Sequence, residues 1–396
     1  MDKRVYLLTI VSFVVGMVEL IIGGILDLVA ADLNVSVGQA GLLITIFSLV
    51  FAVSSPILLF LTSKIERKRL TLFTLFIFFL SNVLAVISPV YSVLFLSRII
   101  SAASASLLIV LCVTMASSIV EPKYRGRAIG VVNMGVSGSL VLGIPFGLML
   151  GNTFGWRAPF IMIAILTLFS IAGVYFFMKP IIPGQVSVSF GEQLSTLKNS
   201  KVLFAHATTF LVLAGHTTLY AYLTPFVKEM MGMDGIWISI VYLIFGVAAV
   251  SGGALGGVFS DRFGSKSTIL SVIMIFIISI TAIPFTTFSI PFFFIVMVIW
   301  GTMSWAITPP MQSYLIESSP GNSDILISLN NSSLHLGVAV GSFVGSIAVD
   351  QAGIENNALI GGIIVTLGLV TAILSTRVPV SPRNMSNEMK KKTTDS

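Results

Sequence analysis

Gly257-Val-Phe-Ser-Asp261-Arg262-Phe-Gly264-Ser-Lys266 is a short charged interruption in an apolar run that extends from about residue 236 to residue 289. Each flank is long enough, at about 1.5 Å of rise per helical residue, to cross ~30 Å of hydrocarbon. The stretch therefore reads as two membrane spans joined by a basic turn. The same alternation recurs along the whole chain. It predicts twelve spans at 5–26, 40–62, 70–88, 91–119, 128–151, 158–178, 203–226, 236–259, 268–289, 291–315, 326–349 and 357–376. Gly, Pro, Asn or a charge marks most boundaries. Between the ninth and tenth spans only Ser289-Ile290-Pro291 separates the runs.

Composition agrees. Charged residues are 10% of the 396, hydrophobic residues 56%, and mean hydropathy is +1.02. Globular domains carry about 25% charge, so a water-solvated fold could not hide this much apolar surface, whereas lipid solvates the outside of every helix. Met1-Asp2-Lys3-Arg4 before an apolar run resembles a signal peptide, but residues 5–26 are too long for one, lack a small-residue cleavage site and carry Glu19. That run is read as a retained first span. A single cysteine, Cys112, excludes an intrachain disulfide.

With both termini on the cytosolic side, 19 of the 22 Lys and Arg fall in cytosolic segments, leaving Arg157 and Lys228 outside and Arg98 within a span. Positive charge kept inside is the usual orientation signal, so a multi-pass membrane location with both termini cytoplasmic is expected. The longest internal loop divides the chain into residues 1–178, a linker 179–202, residues 203–376 and a polar tail 377–396. A shift of 198 residues superimposes Asn133, Gly143, Gly147 and Gly155 on Asn331, Gly341, Gly345 and Gly353. It also carries Pro122 to Pro320, and Ser63 to Asp261. The chain thus reads as an all-α membrane protein of two homologous six-helix halves, with a site expected at their interface near mid-membrane.

The quoted stretch resembles the G-x-x-x-D-R-x-G-x-[RK] signature of the major facilitator superfamily. The resemblance implies a cytoplasmic gate built on Gly257, Asp261, Arg262, Gly264 and Lys266, in which Asp261 caps a neighbouring helix or holds Arg262. The matching loop, Ser63-Lys64-Ile65-Glu66-Arg67-Lys68-Arg69, keeps the basic character without the Asp and Gly. Arg98 resembles the arginine of the family's fourth-span motif, and Gly143-Ile144-Pro145-Phe146-Gly147 is similar to the glycine–proline motif of proton-coupled exporters. Packing and a helix bend are the direct physical roles of Gly143, Pro145 and Gly147. Phe154-Gly155-Trp156-Arg157 looks like its counterpart in drug and metabolite antiporters. Val18 to Leu26, Lys64 to Leu70, Leu213 to Tyr222 and Gln312 to Glu317 look like the bacterial purine efflux pumps. That likeness implies a bacterial cell (inner) membrane protein that exports purine bases or nucleosides by proton exchange, with multidrug or sugar efflux as alternatives.

Ionisable groups inside spans are costly and therefore informative. Glu19 is the leading proton-carrier candidate. His216, which the shift pairs with Val18, is expected to face it across a central cavity, and Arg98 balances Glu19, binds an anionic part of the substrate or ties to backbone carbonyls. His206 and His335 carry less weight, and Asp27 is either a gate residue or, in the favoured reading, a solvated helix end. A purine-like ligand needs a flat aromatic surface and edge-pairing groups. Tyr220, Tyr222, Trp300, Trp305, Asn133, Asn330, Asn331 and Gln312 supply those types, each alone as readily a packing residue. No phosphate-binding glycine loop, metal-ligand spacing or nucleophile–base pair is present in the sequence. The expectation is a transporter rather than an enzyme, a monomer without cofactor, metal or nucleic acid, taking a small molecule and protons.

Overall fold

The structure, a computed structural model, describes residues 2–121, 124–182, 199–318 and 323–378. The core of the expected linker, nearly all of the tail, Pro122 and Pro320 lie outside the described residues. The N-half holds α1 (Lys3–Gly24), α2 (Val37–Leu61), α3 (Arg67–Ile87), α4 (Tyr91–Ile119), α5 (Arg125–Phe154) and α6 (Ala158–Phe177). The C-half holds α7 (Ser200–Tyr220), α8 (Ile236–Phe263), α9 (Ser265–Thr286), α10 (Ile290–Ser318), α11 (Ile325–Ala352) and α12 (Ile354–Arg377). Eleven of these, α2 to α12, are long and apolar enough to cross a bilayer. At 22 residues, α1 reaches about 33 Å.

Both halves use the same pairings: α1 packs on α5 and α6 as α7 packs on α11 and α12, and α2 on α4 as α8 on α10. Small residues make the closest approaches. Gly143 and Gly147 of α5 lie against Met17 and Ile21 of α1, while Gly341 and Gly345 of α11 lie against Ala214 and Thr218 of α7. A Cβ on Gly143 would come within 2.5 Å of the Met17 side chain. Just before Pro145, whose ring supplies no N–H, α5 widens into a π turn over Ser139–Gly143. Gly155 and Gly353, which end α5 and α11 with φ of 87° and 89°, occupy a left-handed region that disfavours side chains.

The first and seventh spans are broken where a continuous apolar run predicts one helix. Ile25 and Tyr222, 197 positions apart, share the same backbone angles, φ −114° and ψ 18°, and short helices Leu26–Asp32 and Leu223–Met231 follow. On the C-half side Pro225 explains the break, since it cannot donate to the carbonyl four residues earlier. The register between α1 and α7 is thus 197 rather than 198, which makes His216, not Thr217, the counterpart of Glu19.

The halves meet along α2–α11 and α5–α8. From the end opposite the termini inward, Ser36 Oγ donates to Asp350 at 2.9 Å, Ser346 Oγ to the Gly38 carbonyl at 2.8 Å, and Thr45 bonds Ser342 at 2.8 Å. Asn152 Nδ2 donates to the Gly235 carbonyl at 3.4 Å, and Gly246 of α8 lies against the backbone of Leu140 and Val141. Nearer the basic loops, no hydrogen bond among the described residues joins the halves, and Asn133 and Asn331 are exposed. The hydrogen bonds between the halves therefore lie toward the end opposite the basic loops.

Candidate functional site

The candidate site, at mid-span where the halves meet, is built from four helices. Glu19 sits in the middle of α1, its side chain 20% exposed. Its Oε1 lies 3.3 Å from Nδ1 of His335 on α11, in the other half. The His335 imidazole lies on the Phe51 ring of α2, centroids 4.1 Å apart and planes inclined by 31°. Arg98, wholly buried on α4, donates from Nη1 to the Val18 carbonyl at 2.8 Å and covers the Phe47 ring at 4.2 Å. It fixes α1 one residue before the carboxylate and lies close enough to Glu19 for their charges to interact. A carboxylate, an imidazole and a guanidinium thus converge where the halves touch, in a setting dry enough to strengthen every charge interaction.

His216 does not face Glu19. It is enclosed within the C-half by Tyr220 (5.0 Å between centroids), Trp300 (5.4 Å), Phe245 (5.9 Å) and Phe276 (6.1 Å). The expectation placed it across the cavity by counting residues. The helix itself turns about 100° per residue, and its phase directs the ring inward. His335, given little weight in the sequence, takes the position opposite Glu19. Those two residues are 316 positions apart, and only the α2–α11 packing brings them together.

The ring-binding candidates do not form one constellation. Tyr220 belongs to the His216 cluster, and Tyr222 donates to the Ser342 carbonyl at 2.9 Å while its hydroxyl end packs on Gly41 of the other half. Trp305 and Gln312 are half-buried on α10, and Asn330 accepts from Thr209 at 2.7 Å. Asn331 is exposed one turn from His335, and Asn133 is exposed on α5. Cys112 is buried in α4.

In the basic turn, Gly252 and Gly256 let α8 touch the α10 backbone, Gly257 lies by Pro309, and Gly264 has φ of 82°. Lys266 is exposed, and Arg262 lies over Phe263. Asp261 is exposed and makes none of the hydrogen bonds among the described residues, so neither expected contact is formed in this conformation. In the matching loop Glu66, unmarked in the sequence, caps α3 through the Lys68 and Arg69 N–H groups at 2.7 and 3.0 Å and accepts from Ile181 N–H at 2.8 Å. Burial pushes its carboxyl up, but these three donors outweigh it and hold it below the usual range.

The closed end carries a second charge cluster. Lys228 bridges Asp27 of the N-half at 2.7 Å and Asp234 at 2.8 Å. Asp27 is therefore an inter-half contact rather than a solvated helix end, because the break at Ile25 redirects it. Asp32 accepts from Trp156 Nε1 at 2.8 Å and from Arg157 at 2.6 Å, and these donors hold its carboxyl low. Among the described residues no group of three or more His, Cys, Asp or Glu could hold a metal ion.

The sequence profile of the Major Facilitator Superfamily matches residues 8–325. The chain belongs to the major facilitator superfamily. Among its relatives, the uncharacterized MFS-type transporter YbcL of Bacillus subtilis (strain 168) is 34% identical over 371 residues, covering 94% of this chain and 95% of that one. The inner membrane transport protein YdhP of Escherichia coli (strain K12) is 29% identical, covering 93% and 95%. A probable sugar efflux transporter of Pasteurella multocida (strain Pm70) is 26% identical, covering 98% and 96%. In fold, the major facilitator chain is similar to a bacterial homolog of the human lysosomal transporter Spinster, inward-facing and unoccupied (TM-score 0.78, 15% identity, 94% and 96% covered). It is similar also to a D-xylose–proton symporter (TM-score 0.76, 15% identity, 95% and 98% covered). This facilitator is a multi-pass membrane transporter.

Proposed function

We propose that the protein is a proton-coupled exporter that carries purine bases, nucleosides or related small metabolites out of the cell by alternating access. Residues 1–178 and 203–376 are the moving bodies, with 179–202 as a cytoplasmic linker. The basic end lies in the cytosol, as the charge distribution favours. In this arrangement the halves part toward the cytosol, and the cleft between them loads from that side. The Glu19–His335 contact carries this reading, because it places a mid-span carboxylate against the opposite half. A proton on Glu19 removes the negative charge that lies beside His335 of the other half, so protonation and the fit between halves are linked. One charge moving through the membrane potential gains ~2.3 kcal/mol per 100 mV, and ~1.4 kcal/mol sustains a tenfold gradient.

Sugar export is the second reading, favoured by the likeness to the probable sugar efflux transporter of Pasteurella multocida. Inside-out vesicles with an acidic lumen and a pH dye separate the two. Hypoxanthine, adenine or guanosine added outside should alkalinise the lumen. A response to sugars or lipophilic cations alone would replace the purine assignment, and substrate uptake without proton movement would end the antiport.

A further inference from the structure

We infer that the His335 imidazole is an internal stand-in for the transported molecule's ring, occupying a subsite formed by the Phe51 face and the Glu19 carboxylate. The inference rests on the purine reading and specifies its site. An imidazole is the five-membered half of a purine, a flat ring with nitrogens on its edge. It lies on Phe51 with centroids 4.1 Å apart, closer than the 4.5–7 Å usual between aromatic pairs. At its edge, Nδ1 lies 3.3 Å from the Glu19 carboxylate. His335 is 7% exposed, yet Nδ1 lacks an aligned hydrogen bond. Its tether to α11 satisfies the stack and leaves the edge contact imperfect. A free ring with an N–H on its edge can satisfy both. Leaving a buried polar atom unpaired is costly, so an occupant that completes the bond has an advantage over the one present. Glu19 is partly exposed, and Asn331 is exposed one turn away on α11, which gives a ring arriving from the cleft a polar approach.

The ligand class is a planar nitrogen heterocycle, purine or azole, with an N–H to donate to Glu19. A saturated hydroxylated ring offers no aromatic face to Phe51. Loading displaces His335, which loosens the α2–α11 contact and couples occupancy to movement of the halves. An internal ring that fills the subsite about nine-tenths of the time weakens apparent affinity about tenfold.

The test is calorimetric titration of the purified full-length chain, wild type and His335→Ala, with hypoxanthine, adenine and imidazole. His335→Ala should bind purines roughly tenfold tighter and gain a site for imidazole. Phe51→Ala, in either background, should weaken both by tenfold or more. His335→Asn, which removes the ring and keeps polarity, reads the same quantity if the alanine variant is poorly folded. Purine binding that is measurable in the wild type and unchanged or weaker on loss of the His335 ring overturns the inference while leaving purine export standing. Imidazole binding that needs Phe51, with no purine binding in any variant, keeps the stand-in and removes the purine reading. No gain for either ligand ends the inference.

Discussion

Asp350 lies near the end of α11 and crosses to the other half, where its carboxylate sits on the N-terminus of α2. Oδ2 accepts from Ser36 Oγ at 2.9 Å and Oδ1 from the Gly38 N–H at 3.2 Å. Ser36 is the cap of that helix, its hydroxyl accepting from Gln39 N–H at 2.9 Å. An anion there meets unsatisfied N–H groups and the positive end of the helix dipole. A hydrogen bond to a charged group contributes about 1.5–3 kcal/mol, and partial exposure moves this toward the lower bound. The contact can exist only while the far end is closed. Asp350→Ala should therefore cost that state about 2 kcal/mol and move the equilibrium toward far-end opening roughly 30-fold. Asp350→Asn, keeping an acceptor without the charge, should fall between. Spin labels at Ala31→Cys and Gln351→Cys, both exposed positions, in a Cys112→Ser background would report the populations by pulsed dipolar spectroscopy. A distance distribution unchanged by Asp350→Ala would refute the latch.

Lys228→Ala should shift the same labels in the same direction by about 1 kcal/mol, since the lost ion pairs are half-exposed. No shift would mean that Lys228 merely decorates the end of its helix. Gly341→Val should sharply lower the yield of monodisperse protein by size-exclusion chromatography, because its Cβ would meet the Ala214 carbonyl. Normal yield would contradict the backbone contact. The depressed Asp32 carboxyl stabilises the protein above its unfolded value of ~3.9, and that contribution fades as pH falls through the lower folded value. Asp32→Asn should therefore remove a few tenths of a kcal/mol of thermal stability at neutral pH, and less below about pH 4. A loss equal at both pH values would contradict the pairing with Arg157 and Trp156.

The membrane spans were legible because lipid-facing surface must be apolar over a fixed length, and the break expected at Ser289-Ile290-Pro291 falls there, with Ser289 ending the connection and Pro291 in the first turn of α10. The repeat was legible in its glycines, since Gly143 and Gly341 do the same packing work against α1 and α7. The breaks at Ile25 and Tyr222 were hidden because an apolar run looks continuous whether or not its helix is kinked. Glu19 stood out as a lone mid-span carboxylate. Its partner did not, because nothing in the local sequence distinguishes His335 from His216, and helix phase and inter-half packing decide between them. The Asp350 latch was likewise invisible, joining residues 312 and 314 positions apart.

The central claim is that Glu19 couples proton movement to substrate. The most direct measurement compares wild type with Glu19→Gln in inside-out vesicles, following purine-driven proton efflux and, separately, purine–purine exchange at equal pH. The amide keeps the shape and loses the titrating charge. Proton efflux should fall to background while exchange persists, because the cleft still loads and the halves still move. Purine-driven proton efflux at the wild-type rate in Glu19→Gln would contradict the account.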